Sequence, residues 1–350
     1  MKVFQATAPK HGAFIEVDTP KPVADQVLIR VCWCGVCGTD YDLFSGDSCY
    51  IKTGKATYPI RLGHEWSGVV ASVGDTVTKV KPGDRVIGDN YVTCGKCAAC
   101  LAGDYNGCTG RMHVGTIDPC WNGAFAEYFL IPERHVYRIA DNLGLREAAL
   151  CEPLSVAYGG TKKMNIRPDS IVAVIGTGPI ALSAAALAVR EGAQVYVIGK
   201  NDKKLQIAAK FGISGVINIR ECDPAQHLKE LTNGRLADFV LECSGSEQMV
   251  NEIIRISANK AVAALIGFYN SAPKEVDFST LVEKEMTFIG IMGEYGNIEA
   301  VSKLMAENSM RLSEMITDEK PFDECLDALS VEDHSCVIKT MIKISEENAE

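Results

Sequence analysis

Residues 171–181 read IVAVIGTGPIA, in which five apolar residues precede a glycine-proline turn and the start of a second apolar run. No charged residue occurs between Ile171 and Val189, a length that imitates a membrane span, but the turn at residues 176–179 would break a spanning helix. The pattern instead predicts a buried strand over residues 171–175, a tight turn, and a helix from about Ile180 to Arg190.

The turn fits the motif G-x-G-x-x-[GA] between a strand and a helix. Gly176 allows the tight turn, Gly178 lets the backbone approach a pyrophosphate, and the small Ala181 permits close packing of the helix on the strand. The helix N-terminus supplies amide hydrogens for phosphate oxygens. In this context the motif predicts a dinucleotide site with contacts from Gly176, Gly178, Pro179 and Ile180.

Strand-like runs and helical stretches alternate after this turn, which predicts a doubly wound parallel sheet over residues 171–291. The runs lie at residues 194–198, 215–218, 238–243, 261–266 and 286–291, and the helices at residues 203–211, 224–231 and 247–256. Asp202 is expected to cap the first of these helices, and Gly212 is expected to end it.

The first 150 residues have a different pattern, because short β-rich runs at residues 27–31, 68–73 and 126–131 lie between glycine, proline and aspartate turns. This pattern predicts an irregular β-barrel or sandwich. The tail from Asn297 alternates helix and strand and is expected to return to this part. A chain of 350 residues is therefore expected to form two domains.

The composition restricts the partners and the location. Lys and Arg number 35 against 45 Asp and Glu, which gives a net charge of −10 and disfavours nucleic acid and anionic membranes as partners. The fourteen cysteines belong to a chain whose start carries no visible export signal. This combination indicates reduced thiols, metal ligands and a cytoplasmic location.

Four of the cysteines form the pattern C-x2-C-x2-C-x7-C in a polar loop, namely Cys94, Cys97, Cys100 and Cys108. Four thiolates at this spacing can close a tetrahedral shell around one ion, which predicts a structural zinc site. The alternative is a set of free thiols or loop disulfides, and the absence of an export signal disfavours disulfides.

Three further residues are ambiguous when each is considered alone. They are Cys37 in CGVCGTD, His64 in GHE and Glu152 in CEPLSV. Most lone cysteines are buried and inert, whereas a carboxylate among apolar residues is costly unless it is paired or binds a metal. Their presence beside a complete four-cysteine loop favours a second metal site.

The whole set resembles the zinc-dependent medium-chain alcohol and polyol dehydrogenase family. The segment GHEWSGVV at residues 63–70 with Val73-Gly74 matches the family's zinc signature, and KPGDRV at residues 81–86 matches its next barrel turn. The four-cysteine lobe, FAEY at residues 125–128 and the glycine turn follow in the family's order. The resemblance therefore covers nearly the whole chain.

The resemblance implies a domain organisation. A chaperonin-10-like β-barrel catalytic domain would comprise residues 1–156 and 292–350, with the zinc lobe at about residues 90–110. A Rossmann domain would comprise residues 157–291. Glu152 in EPLSV resembles the sorbitol dehydrogenase branch, whereas the simple alcohol dehydrogenases carry a cysteine ligand there. Cys151 is therefore expected to be a packing residue.

The resemblance also implies roles for individual residues. A catalytic zinc would be held by Cys37, His64 and Glu65, with Glu152 binding directly or through a water, so that one position stays open for substrate. Asp40 would hydrogen-bond the free nitrogen of His64 and fix its tautomer.

Proton transfer is assigned in the same way. Thr39 would lie beside the substrate oxygen and pass its proton towards the nicotinamide ribose. Relatives that end this relay with histidine place it five residues after the cysteine, where this chain has Asp42. The role of Asp42 therefore stays open.

The implied reaction is hydride transfer between a secondary hydroxyl of a polyol or sugar and NAD(P), giving a ketone, with about two zinc ions per chain. Two alternatives remain. One is a threonine-type amino-alcohol dehydrogenase, which shares FAEY. The other is a catalytically inactive nucleotide-binding or scaffold protein, which would be expected to lack some of the catalytic residues.

The end of the second strand predicts which cofactor is preferred. NAD enzymes usually place Asp or Glu there, about 20 residues after the glycine turn, and the corresponding residue is Gly199. Glycine cannot repel a 2′-phosphate, and Lys200, Lys203 and Lys204 supply positive charge nearby. We therefore expect NADP to be preferred over NAD, with contacts from Gly199, Lys200 and Lys204.

The substrate pocket is expected to be lined by Tyr41, Phe44, Tyr50 and the loop near Trp121. Three residues are candidates for meeting an anionic group, namely His113, His135 and Lys55. Neither the specific substrate nor its stereochemistry follows from these residue types. A homodimer or homotetramer is expected on family grounds, with the strand near residues 288–291 pairing across a twofold axis.

Overall fold

The computed structural model describes residues 1–269, 271, 275–293, 296–307, 310–331, 333 and 335–347. Its N-terminal part consists mostly of short strands, as the turn-rich sequence predicts. The strands are β1 (Lys2–Ala8), β2 (His11–Glu16), β3 (Gln26–Gly35), β4 (Glu65–Val73), β5 (Arg85–Gly88), β6 (Tyr91–Val92), β7 (Met112–Val114), β8 (Cys120–Trp121), β9 (Tyr128–Pro132) and β10 (Val136–Arg138). The helices are α1 (Gly38–Ser45), α2 (Cys49–Lys52), α3 (Ala98–Leu101) and α4 (Leu145–Ala148).

The rest of the chain alternates helices and strands. The helices are α5 (Cys151–Lys162), α6 (Pro179–Arg190), α7 (Asp202–Ala208), α8 (Pro224–Leu231), α9 (Met249–Ile256), α10 (Phe278–Glu283), α11 (Ile298–Ala306) and α12 (Cys325–Leu329). The strands are β11 (Ile171–Ile175), β12 (Gln194–Gly199), β13 (Gly215–Asn218), β14 (Ala237–Glu242), β15 (Ser257–Leu265), β16 (Thr287–Gly290), β17 (Ile316–Pro321) and β18 (Lys339–Lys343).

Strand β3 is the centre of the N-terminal sheet, because it pairs antiparallel with β4, β9 and β18. The sheet has the order β10-β5-β4-β3-β18-β17, with β9 joined to β3. The C-terminal strands β17 and β18 therefore complete the sheet of the first part, which confirms the predicted return of the tail. Apolar side chains from β3, β4 and β9 fill the barrel core, among them Ile29, Val70 and Phe129.

The second sheet is parallel throughout, in the order β13-β12-β11-β14-β15-β16. Residues of α5, α6 and α11 cover one face and residues of α8 and α9 cover the other, so the predicted doubly wound sheet is confirmed. The crevice where the strand order reverses lies at the carboxyl ends of β11 and β14, which is where such folds bind ligands. Edge strand β16 ends the sheet.

Two boundary details differ from the sequence expectations. Asn201, rather than Asp202, caps α7, because its side chain accepts a hydrogen bond from the Lys204 amide at 3.1 Å. Asp202 is the first helical residue, and its carboxylate accepts from Asn218 at 2.7 Å. The proposed division at residues 156 and 157 falls inside helix α5, so this helix is shared by both parts.

None of the helices in the described ranges is long and apolar enough to cross a membrane. The uncharged stretch that imitates a span is divided between β11 and α6. This division follows from Gly176, whose φ of 117° lies in a region that side chains with a Cβ rarely adopt.

Candidate active site

A buried carboxylate joins the two segments that carry the predicted metal ligands. Cys37 directly precedes α1, and its amide donates to Asp40 Oδ2 at 2.9 Å. The other oxygen of Asp40 accepts from the Gly63 amide at 3.2 Å. Asp40 is fully buried, so it fixes the start of α1 against the loop that precedes β4.

The loop before β4 requires glycine. Gly63 has a φ of 91°, and a Cβ there would lie 2.7 Å from the ring of Phe125. This close approach brings His64 and Glu65 into the buried interior beside Cys37. One ligand atom from each of Cys37, His64 and Glu65 lies within 4.8 Å of the others, so the three side chains can hold one metal ion.

His64 carries an unsatisfied buried nitrogen. Its Nδ1 lies 3.5 Å from Asp40 Oδ1 and has no hydrogen-bond partner among the described residues. The two side chains are therefore close together, as expected, but the hydrogen bond between His64 and Asp40 is not formed. Burial disfavours the charged imidazolium, but the charges of Asp40 and Cys37 outweigh burial and raise the pKa of His64 well above its usual value. A buried imidazole without a full set of partners, beside a thiol and a carboxylate, fits a zinc-binding set.

Glu65 also has a partner that the sequence did not predict. Lys339 Nζ on β18 lies 2.7 Å from Oε1 and 2.6 Å from Oε2 of Glu65, and it also donates to the Val36 carbonyl at 2.8 Å. Burial lowers the pKa of Lys339, but the carboxylate of Glu65 and the Cys37 thiol outweigh it, so the pKa of Lys339 is raised.

Glu152 lies in the first turn of α5 and lines the same cavity as Cys37 and His64. Its carboxylate is outside the set of atoms that lie within 4.8 Å of one another. It accepts a hydrogen bond from the side chain of Asn90. Burial raises the pKa of Glu152 to about 7, against the opposing effect of His64.

A cavity of about 180 Å³ connects this cluster with the nucleotide turn. It is lined by Cys37, Thr39, Tyr50, His64, Asn90, His113, Thr116, Ile117, Glu152, Val156, Ile180, Ile266, Phe268, Ile291, Met292 and Gly293. Thr39, Tyr50 and Ile180 were expected here. Thr116 and Ile117 belong to the loop near Trp121, which was also expected here, whereas Asn90 was missed, because nothing local in the sequence shows that its segment approaches the site.

Other pocket expectations were wrong. Phe44 is 2% exposed in the barrel core, because it lies about 140° around helix α1 from Thr39. Tyr41 lines a neighbouring cleft. Trp121 itself packs against the barrel core and donates to the Leu130 carbonyl at 2.6 Å, although Thr116 and Ile117 of the loop before it do line the cavity.

Two of the three candidate residues for an anionic group also lie elsewhere. His135 is 2% exposed, and its Nδ1 lies 2.8 Å from Asp89 Oδ2. Lys55 is exposed and does not line the cavity. Only His113 of the three reaches the cavity.

The four-cysteine loop forms a second cluster, and all four sulfurs lie within 4.8 Å of one another. The Cys97–Cys100 and Cys94–Cys100 sulfur separations are 3.5 and 3.9 Å. Zinc–sulfur bonds of about 2.3 Å in a tetrahedron require sulfur separations of about 3.8 Å. Backbone amides of Lys96 and Cys97 lower the pKa of Cys94 to about 6, which favours the thiolate that zinc needs.

All fourteen cysteines are free of disulfide bonds in the structure, which therefore gives no support to the loop-disulfide alternative. Cys151 is 1% exposed, and its sulfur lies 3.3 Å from the Met305 sulfur. This contact supports the expected packing role.

The nucleotide turn has the predicted geometry. Gly178 caps α6, and Pro179 occupies its first turn. Gly178 and Pro179 line a cleft of about 410 Å³ together with Asp42 and Lys204, whereas Ile180 lines the cavity at the metal cluster. A dinucleotide bound along this turn would therefore reach both spaces.

The end of β12 is crowded, although it carries no acidic side chain. A Cβ at Gly199 would lie 2.6 Å from the methyl carbon of Thr177. Lys200 is exposed, and Lys203 Nζ lies 3.2 Å from the Cys336 sulfur. Burial lowers the pKa of Lys204, which lines the cleft.

Comparison with known proteins identifies both parts of the chain. Residues 23–141 match the alcohol dehydrogenase GroES-like domain, and residues 179–307 match the zinc-binding dehydrogenase family. A sorbitol dehydrogenase of Halalkalibacterium halodurans is 32% identical over 318 residues, which are 90% of each chain. A D-arabitol-phosphate dehydrogenase of Enterococcus avium is 30% identical over 99% of this chain and 98% of its own.

An L-threonine 3-dehydrogenase of Bacillus subtilis is 33% identical over 91% of this chain and 92% of its own. Among solved structures, a zinc-binding dehydrogenase from Sinorhizobium meliloti, bound to NADP, has a TM-score of 0.89 with 26% identity. The match covers 98% of this chain and 99% of that one. With its two domain matches, its two clusters of possible metal ligands and its nucleotide turn, this chain belongs to the zinc-dependent medium-chain alcohol and polyol dehydrogenase family.

Proposed function

We propose that this enzyme oxidises a secondary hydroxyl of a polyol or sugar to a ketone with a nicotinamide cofactor. The observation that carries the proposal is the cluster of Cys37, His64 and Glu65, of which Cys37 and His64 line one cavity with Thr39 and with Ile180 of the nucleotide turn. The sorbitol and arabitol-phosphate dehydrogenase relatives support the polyol class.

The metal-ligand assignment follows from the cluster. Cys37, His64 and Glu65 would hold the catalytic zinc. Glu152, which lies outside the 4.8 Å set and is hydrogen-bonded by Asn90, is better placed to act through a water. When bound, zinc supplies a Lewis acid that lowers the pKa of the alcohol, and the nicotinamide ring accepts the hydride.

The chain itself handles the proton. The Thr39 hydroxyl faces the cavity and makes no hydrogen bond to any described residue, so it is available to the substrate oxygen. Asp42, one helical turn further along α1, lines the cofactor cleft. We assign the Thr39 hydroxyl as a relay that accepts the substrate proton on Oγ1 while it passes its own proton towards the nicotinamide ribose, and Asp42 as the carboxylate near which the proton leaves the site.

We also propose a second, structural zinc at Cys94, Cys97, Cys100 and Cys108, which gives two zinc ions per chain. The sulfur separations support this assignment, because they match the edges of a tetrahedral zinc site. Elemental analysis of active protein is expected to give two zinc ions per chain, and protein that is active without metal would contradict both assignments.

NADP(H) is the preferred cofactor in this proposal. Gly199 presents no carboxylate to a 2′-phosphate, and Lys204 lies in the cleft with Gly178 and Pro179. The proposed assembly is a homodimer or homotetramer formed through edge strand β16, and a monomer in light scattering would contradict it.

The test is an oxidation screen of polyols, sugars, sugar phosphates and amino alcohols with both cofactors. A polyol that is oxidised at a secondary hydroxyl is expected to have the highest kcat/KM of the compounds tested. The threonine dehydrogenase relative supports one alternative, which oxidation of threonine but not of polyols would establish. Nucleotide binding without turnover of any alcohol would instead indicate an inactive protein, although every residue of the predicted catalytic set is present.

A further inference from the structure

The substrate cavity has a polar wall opposite its apolar side. His113 is the central residue of β7, which pairs with β6 through Tyr91 and with β8 through Cys120. The Val114 amide donates to the Asn90 carbonyl at 2.9 Å, so the backbones that carry His113 and Asn90 are joined directly. This fixed backbone holds both side chains at the lining of the cavity, where Thr116 joins them.

These groups are available for hydrogen bonding. The imidazole of His113 and the hydroxyl of Thr116 make no hydrogen bond within the described part of the chain. Asn90 donates its amide hydrogen to Glu152 and keeps its carbonyl oxygen as a further acceptor. Burial, together with Arg111 and His64, lowers the pKa of His113 to about 4. The ring is therefore neutral near pH 7 and offers one donor and one acceptor.

The charge of the cavity lining also bears on which substrate fits this wall. Cys37 and His64, which would hold the zinc, lie at one part of its lining, and the described lining contains neither lysine nor arginine. A phosphate monoester carries a charge of about −1.5 to −2 at pH 7. Asn90, His113 and Thr116 form hydrogen bonds but carry no charge, so a phosphate at the end of the substrate remote from the zinc ligands would meet no cation on this wall. Hydroxyl groups match the same donors and acceptors without a net charge.

We propose that the wall of Asn90, His113 and Thr116 selects an unphosphorylated polyol over its phosphate ester, with His113 as the specificity residue for a hydroxyl remote from the reacting carbon. This inference rests on the proposed polyol dehydrogenase function. It distinguishes two substrate classes that both occur among the relatives of this chain.

The experiment measures kcat/KM of the zinc-loaded enzyme for sorbitol, galactitol and xylitol, for their monophosphates, and for 2-butanol, which has no remote hydroxyl. The wild type is expected to favour the free polyol over its phosphate by about 100-fold. His113→Phe is expected to lower the ratio of polyol to 2-butanol kcat/KM by about tenfold, chiefly through KM. His113→Lys is expected to raise the kcat/KM for the polyol monophosphate relative to that for the free polyol.

His227→Phe is the matched control, because His227 is exposed on α8 and should leave every ratio unchanged. His113→Gln provides a second variant if the phenylalanine disturbs folding. A wild type that prefers the phosphate, or His113 variants whose ratios stay constant, would overturn this inference and leave the polyol function standing. Turnover of 2-butanol or threonine without any polyol would overturn the proposed function itself.

Discussion

Lys339 Nζ contacts both carboxylate oxygens of Glu65, although the two residues are 274 positions apart. Each side chain is only 1% exposed, so this is a fully buried ion pair. It connects β18 to a predicted zinc ligand and fixes the position of the Glu65 carboxylate.

Breaking this pair is expected to be strongly destabilising. Lys339→Met leaves a buried carboxylate without its partner, which costs about 3–5 kcal/mol in the free energy of unfolding. Lys343→Met is the control, since Lys343 forms a partly exposed pair with Glu346, and its loss should cost less than about 1 kcal/mol. Urea denaturation measures both, and equal losses in the two variants would contradict the structural role of Lys339.

Cys37→Ser is expected to abolish turnover while the fold and nucleotide binding are retained, and His64→Ala should behave in the same way. Each change removes one proposed ligand of the catalytic metal. Cys49→Ser serves as the control, because Cys49 lies outside both ligand clusters. Circular dichroism, nucleotide binding and alcohol oxidation are the measurements. Full activity in Cys37→Ser would show that the ligand assignment is wrong.

Cys97→Ser should affect stability before catalysis. Zinc content is expected to fall from about two ions per chain to about one, with a lower melting temperature or disturbed assembly. Activity per folded molecule should fall much less than in Cys37→Ser. If the variant keeps two zinc ions and its wild-type melting temperature, the four-cysteine loop is not a structural metal site.

The cofactor assignment can be tested at two positions. Lys204→Ala should lower kcat/KM for NADP by about tenfold, more than Lys200→Ala does, because Lys204 lines the cleft and Lys200 is exposed. Lys210→Ala is the control, since that lysine pairs with Glu314 on the surface. A higher kcat/KM for NAD than for NADP in the wild type would contradict the assignment.

Reversal of the cofactor preference from NADP to NAD requires two substitutions. Gly199→Asp alone would place a Cβ 2.6 Å from the methyl carbon of Thr177, so the chain must also carry Thr177→Ala. The double variant is expected to favour NAD, because the new carboxylate accepts hydrogen bonds from the ribose and repels a 2′-phosphate. Thr177→Ala alone should keep the NADP preference, and a double variant that still prefers NADP would show that this strand end does not select the cofactor.

Much of the fold could be predicted from the sequence, because the relevant signals are local. The apolar run at β11 and the glycine turn after it specify a strand, a turn and a helix over about twenty residues. The four-cysteine spacing similarly brings its sulfurs together within one loop. The return of the tail to the first sheet also follows from its alternating pattern. Even here the cap of α7 was misplaced by one residue, because Asn201 and Asp202 are both good capping residues.

The substrate cavity was predicted less well. Phe44 was expected in its lining because it follows the first ligand, yet it packs into the barrel core. His113 was named only as one of three candidates for an anionic group, and Asn90 was not anticipated at all. Distance along the sequence does not determine which face of a helix or which edge of a small sheet meets a cavity.

The sequence by itself predicted the β-rich part, the parallel sheet, the four-cysteine cluster and the nucleotide turn, since each depends on residue types at short spacing, whereas the catalytic ligand set was predicted from the family resemblance. Only the tertiary structure decided that Lys339 pairs with Glu65, that Asn90 holds Glu152, and that Thr177 crowds Gly199. The physical reason is that hydrophobic burial brings distant segments together without regard to sequence separation. The buried polar groups must then find partners wherever that packing places them.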